Sequence, residues 1–182
     1  GKILFVIIVI MKTKFILHGG KLVYENASND SFFKEVTIDL QDGDTVLFVG
    51  FARRDENKIA EIYVRDKNYI LAQTTKKIEV VNATYNNFIQ QIISAKVIFI
   101  TGGDTRALVK DILKYQNFID SIKGKTIAGS SAGACLFASY YFFDDNHKVQ
   151  EGLGVLPVKM MVHYGNEEFY ATEQNLELLK EH

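Results

Sequence analysis

The chain has 182 residues, 47% of them hydrophobic and 24% charged, and a formal net charge of −1. That length sets one domain with a sizeable core, and the near-neutral balance gives no electrostatic case for nucleic acid or an anionic membrane as partner. The single cysteine, Cys135, excludes an intrachain disulfide and fits a reducing, cytoplasmic setting.

In chain order, GKILFVIIVI (residues 1–10) is strongly apolar, too short to span a bilayer, and followed by no small-residue cleavage site. Met11 reads as a natural start. Residues 1–10 are therefore set aside as a leader or expression-derived segment, with an extra strand as the alternative, and residues 11–182 are taken as the domain. FILHGG (Phe15 to Gly20) predicts a strand running into a glycine loop. TVLFVGFA (Thr45 to Ala52) predicts a buried strand, and Arg53 to Gln73 a helix. KIEVVNA (Lys77 to Ala83) predicts a strand and Tyr85 to Ser94 a helix. KVIFITGG (Lys96 to Gly103) is the clearest strand, with Asp104 or Thr105 placed to cap the helix TRALVKDILKY. KTIAGS (Lys125 to Ser130) predicts another strand, and AGACLFASYYF (Ala132 to Phe142) a helix. A last helix is expected from about Glu167 to Lys180.

These strands are continuous and apolar, not alternating, which argues for a parallel sheet covered on both faces. Strand–helix alternation with short links then gives a three-layer α/β/α, doubly wound domain. In such sheets ligands bind outside the carboxyl ends of the strands. Three predicted loops at that edge carry unusual residues: HGG, TGGDT and GSSAGA.

Gly129-Ser130-Ser131-Ala132-Gly133 has the pattern Gly-x-Ser-x-Gly, after an apolar strand and before an apolar helix. A serine on such a sharp turn needs small neighbours, and its hydroxyl meets a helix N-terminus that favours developing negative charge. Small residues at this junction also serve close packing alone. A serine nucleophile needs a base. His182 is terminal, His147 sits in polar DDNHK, and His18 ends the first strand at the functional edge. His163 ends the apolar run VKMMVHYG, as a residue delivered by a strand tip would. An oxyanion hole could draw on the Ala132 N–H and on Gly102 and Gly103, where no Cβ blocks backbone approach. His18, Gly19, Arg53, Asp104, Ser130 and Tyr164 are weaker candidates for the pocket wall, and the preferred reading of Arg53 and Arg54 is as surface charges.

KVIFITGGDTRALVKDIL, TIAGSSAGA, EGLGVLP and MMVHYG, in that order, resemble the peptidase E (aspartyl dipeptidase) and cyanophycinase family of serine peptidases. FILHGG and VGFARRDE also look like its bacterial members. The resemblance covers the chain from about Met11 onward and implies a fold like that of class I glutamine amidotransferases. It implies Ser131 as nucleophile, His163 as base, and Gly102, Gly103 and Ala132 as the oxyanion hole. The reaction implied is hydrolysis of small peptides through an acyl-enzyme, without metal or cofactor. Amidotransferases carry a cysteine at the elbow, and here Cys135 lies one turn further on, expected to be buried.

Two departures stand out. The family's third triad member is a glutamate well downstream of the histidine, and the chain stops at His182 before the strand and loop expected to carry it. Glu167, Glu168 and Glu173, with Asp144, Asp145 and Glu151 upstream, read as solvated, and no third member is assigned. Aspartyl dipeptidases also use basic residues late in the chain, yet no arginine follows Arg106, so an N-terminal aspartate preference is not expected. The alternatives are a catalytically incomplete binding module of the same fold and an amidotransferase-like protein. A nucleotide-binding flavodoxin-like protein is disfavoured because TGGDT matches no phosphate-cradling pattern. A homodimer is left open.

Overall fold

The structure, a computed structural model, describes residues 5–10, 12–22, 27–143 and 147–182. Met11, Asp144 and Asp145 lie outside the described residues. Five parallel strands form the centre of a six-stranded sheet: β2 (Thr13–His18), β6 (Thr126–Ser130), β5 (Val97–Ile100), β3 (Thr45–Val49) and β4 (Glu79–Asn82), in that spatial order. The segment set aside in the sequence supplies β1 (Phe5–Ile10), which pairs antiparallel with β2 at the open edge. Among the described residues no helix is long and apolar enough to cross a membrane.

Alternation along each strand explains why the sheet is covered twice. Ile98 and Ile100 of β5 point into one core with Phe88 and Ile92 of α3 (Phe88–Ser94) and Leu108 and Ile112 of α4 (Thr105–Ile112). Val97 and Phe99 point the other way. They meet Phe32 and Phe33 of α1 (Ala27–Thr37) and Ile62 and Ile70 of α2 (Glu56–Ala72). A period of two with apolar residues at every step is what a strand buried on both faces requires. The result is the expected three-layer α/β/α architecture. Each fully buried phenylalanine here contributes about 2–3 kcal/mol by leaving water.

Strand order also positions the site. Connections from β2 to β3 to β4 run one way across the sheet and those from β4 through β5 to β6 run back. The reversal falls between β3 and β5, and the flanking loops diverge there to leave a crevice at the carboxyl ends. Local signals agree: Asp55 caps α2 by accepting from the Asn57 and Lys58 N–H groups, and Asp104 caps α4 by accepting from Ala107 N–H.

Two expected helices are corrected. After α5 (Phe118–Ser121) and β6, the helix α6 runs only from Ala132 to Cys135, and Ala138–Phe143 is a strand, β7. Short apolar runs do not distinguish helix from strand by periodicity, and the aromatic stretch Tyr140–Phe143 settles into a small second sheet. That sheet pairs β7 antiparallel with β8 (Lys148–Glu151) and parallel with β9 (Leu156–Met160). The last expected helix is divided into a 3-10 turn at Glu167–Phe169 and α7 at Glu173–Lys180. Tyr170 adopts a left-handed conformation between them and Thr172 caps the second.

Candidate active site

Ser131 sits between β6 and α6 with φ 53° and ψ −111°, a region that L residues rarely enter. The surrounding glycines are required sterically. A Cβ on Gly129 would come within 2.3 Å of the Gly133 carbonyl oxygen, and one on Gly133 within 2.2 Å of the Ile100 oxygen. Strand, elbow and helix therefore touch through bare backbone. Gly102 borders the serine directly, since a Cβ there would lie 3.1 Å from Ser131 Cβ and 3.6 Å from its Oγ. Gly103 packs on Ala52, whose carbonyl oxygen a Cβ would meet at 2.3 Å. Ala132 opens α6 immediately after the serine, and Ser130 is buried.

His163 follows β9 and arrives from the second sheet. Its Nε2 lies 3.0 Å from Ser131 Oγ. The imidazole is held from two directions. Phe169 stacks on one face, with centroids 4.3 Å apart and planes at 19°. Gly20 closes on the Cε1 end of the ring, where an added Cβ would come within 2.1 Å of Cε1. The His163 backbone, itself at φ 57°, donates its N–H to the Gly19 carbonyl at 2.9 Å. Ser131 donates its N–H to the His18 carbonyl at 3.0 Å.

Residues 15–181 match the profile of peptidase family S51. The chain belongs to this family of serine peptidases. Its backbone superposes with a TM-score of 0.64 on a putative peptidase E protein from Listeria monocytogenes, at 16% identity over 92% of this chain and 86% of that one. A peptidase from an acI-B1 Actinobacterium gives a TM-score of 0.66 at 19% identity, over 91% of this chain and 74% of that one. Both are likenesses of fold. A comparison with curated proteins finds no match.

In this S51 chain a cavity of about 300 Å³ opens beside Ser131 and His163, with Phe169, Gly102 and Gly103 in its wall. Its charged lining is basic: Lys21, Arg53 and Arg65. Arg53 thus faces the cavity, whereas Arg54 is exposed and tied to Asp111 at 2.7 Å. Arg65 is anchored by Asp66, with 2.6 Å between Nη2 and Oδ1. Two weak candidates fall elsewhere. His18 is fully buried behind the loop, not in the wall, and Tyr164 is half exposed and donates its hydroxyl proton to Glu173. Asp104 caps α4 and borders a neighbouring cavity on the far side of Gly103. Gly19 contributes its carbonyl, and Cys135 is buried as expected. Glu167 and Glu168 are exposed.

Sequence reading missed Phe169, Lys21, Arg65 and Asp66. Phe169 lay inside an expected helix. Arg65 and Asp66 resemble the solvated face of α2, and only the tertiary fold turns them inward.

Burial pushes the Asp66 carboxyl up to about 6, against the pull of Arg65, and pushes the His18 imidazole down to about 4. The signs oppose one another. A carboxyl raised in the fold adds stability that is complete below its unfolded value near 4 and is lost as pH rises through about 6. An imidazole lowered in the fold adds stability that is complete above about 6.5 and is lost as pH falls toward 4. In the parent the two slopes offset each other. Asp66→Asn removes the first, so its thermal midpoint should climb from pH 4 to 6.5 more steeply than the parent's, by on the order of 3 kcal/mol across the window. Parallel pH profiles for the two proteins in thermal scans would refute this.

Proposed function

We propose that this S51 peptidase hydrolyses short peptides through an acyl-enzyme, with Ser131 as nucleophile and His163 as general base. The observation that carries the reading is the 3.0 Å approach of Ser131 Oγ to His163 Nε2 at a strained strand-to-helix turn. The Ser131 proton passes to His163 as Oγ attacks the carbonyl carbon. Negative charge then develops on the carbonyl oxygen, where the Ala132 N–H and those of Gly102 and Gly103 serve as donors at the elbow and the facing loop. The C–N bond breaks, His163 gives its proton to the leaving amine, and a water activated by the same imidazole releases the acid.

The basic cavity supports a finer reading. A recess of about 300 Å³ with Lys21, Arg53 and Arg65 around it suits a small peptide presenting a carboxylate, in keeping with dipeptidase action. Lys21 comes from the loop after β2, Arg53 from the loop after β3 and Arg65 from α2, none of them from late in the chain.

Treatment with a fluorophosphonate followed by intact mass tests the proposal. One adduct on the parent, absent from Ser131→Ala, is expected, and dipeptides with an acidic residue should turn over faster than neutral ones. A folded parent that takes up no adduct would instead favour a binding module.

A further inference from the structure

The loop His18-Gly19-Gly20 bears on the site at each successive residue. The His18 carbonyl accepts the N–H of Ser131 at 3.0 Å, and the Gly19 carbonyl accepts the N–H of His163 at 2.9 Å. Gly20, at φ 105°, lies so close to Cε1 of the His163 ring that even a methyl group would collide with it. The loop is thus a jig touching both members of the Ser131–His163 pair, though the two come from different sheets. A buried bond braces the jig from within: Gly20 N–H donates to Nδ1 of His18 at 3.1 Å. The His18 ring is 0% exposed and packs against Phe32 with centroids 4.9 Å apart.

We infer that His18 is a positioning residue of the hydrolytic centre: its unprotonated Nδ1 fixes Gly20, and Gly20 fixes the plane of the His163 imidazole. The inference rests on the peptidase reading above. His18 touches no substrate, since it is buried behind the loop. Its burial also favours the neutral ring over the working range of pH, with the proton on Nε2 and the acceptor lone pair on Nδ1. Release of Gly20 would let the His163 ring tilt away from Ser131, and a displacement of about 1 Å at a reacting group can cost about a hundredfold in rate.

Two substitutions separate positioning from simple packing, because the two roles rank them in opposite order. Asparagine places its Oδ1 close to where histidine has Nδ1, so His18→Asn keeps the acceptor but leaves a small void. His18→Leu fills the space but offers Gly20 no acceptor. The inference predicts that His18→Leu lowers kcat and the rate of fluorophosphonate labelling by about a hundredfold with KM nearly unchanged. His18→Asn should stay within about tenfold of the parent, although its thermal midpoint falls below that of His18→Leu. A packing role predicts that His18→Leu is the more active of the two, and that result, or equal rates, would overturn the inference.

If neither variant folds, the parent itself decides the question. With ¹⁵N-labelled histidine, the His18 Nδ1 resonance should be that of an unprotonated acceptor at pH 7, with scalar coupling to the Gly20 amide proton. A protonated Nδ1 would overturn the inference. A parent that is not labelled by fluorophosphonate sinks the peptidase reading instead, and is distinguished because the variant series then has no rate to rank.

Discussion

His163→Ala is expected to reduce kcat on a peptide substrate by about a millionfold, close to the effect of removing the serine itself. In the proposed reaction the two side chains act as one unit, so losing either removes the whole proton-transfer step. KM should change little, because the cations of the cavity wall, Lys21, Arg53 and Arg65, remain in place. The fold should persist as well, since the ring is only partly buried and is not part of the main core. Steady-state kinetics beside a thermal scan give the check. A loss of only tenfold at full stability would show that His163 is not the base.

Gly133→Ala is expected to be strongly destabilising. The added Cβ would lie 2.2 Å from the Ile100 carbonyl oxygen, 2.8 Å from its carbon and 3.0 Å from Ile100 Cβ. Two of those atoms are backbone of β5, the central fully buried strand, and cannot rotate away. Helix α6 must therefore move off the sheet. Overpacking of this severity costs at least about 3 kcal/mol, or about 10 °C in thermal midpoint for a chain of this length. Ser131 rides on the same turn, so activity should vanish even in the fraction that stays folded. A midpoint within a degree or two of the parent's would mean that α6 has room to slide.

Strands β2, β3 and β5 were legible because each is a short, mostly apolar run closed by glycine within two residues. TIAGS leading into SAGA was legible for the same reason, since the small residues mark a place where backbones touch. Where reading failed, the deciding information was not local. Ala138–Phe143 became a strand because β9, nearly twenty residues downstream, offers it a parallel partner. Asp66 and Arg65 read as surface charges because one helix does not reveal which face its sheet will cover. Phe169 sits beside His163 only because Tyr170 takes a left-handed conformation and stops the helix early. The role of the His18-Gly19-Gly20 loop was hidden for a related reason: its carbonyls and one N–H make the contacts, and side-chain identity reports poorly on those.

The serine and the histidine belong to different sheets, one completed at β6 and the other only when β9 lies beside β7. A chain emerging during synthesis therefore presents Ser131 well before the imidazole has anything to dock against, and the packing of Phe169 comes later still. Until then the elbow is an ordinary hydroxyl on a bent loop. The two members of the pair can thus meet only after the segment through Phe169 has been made.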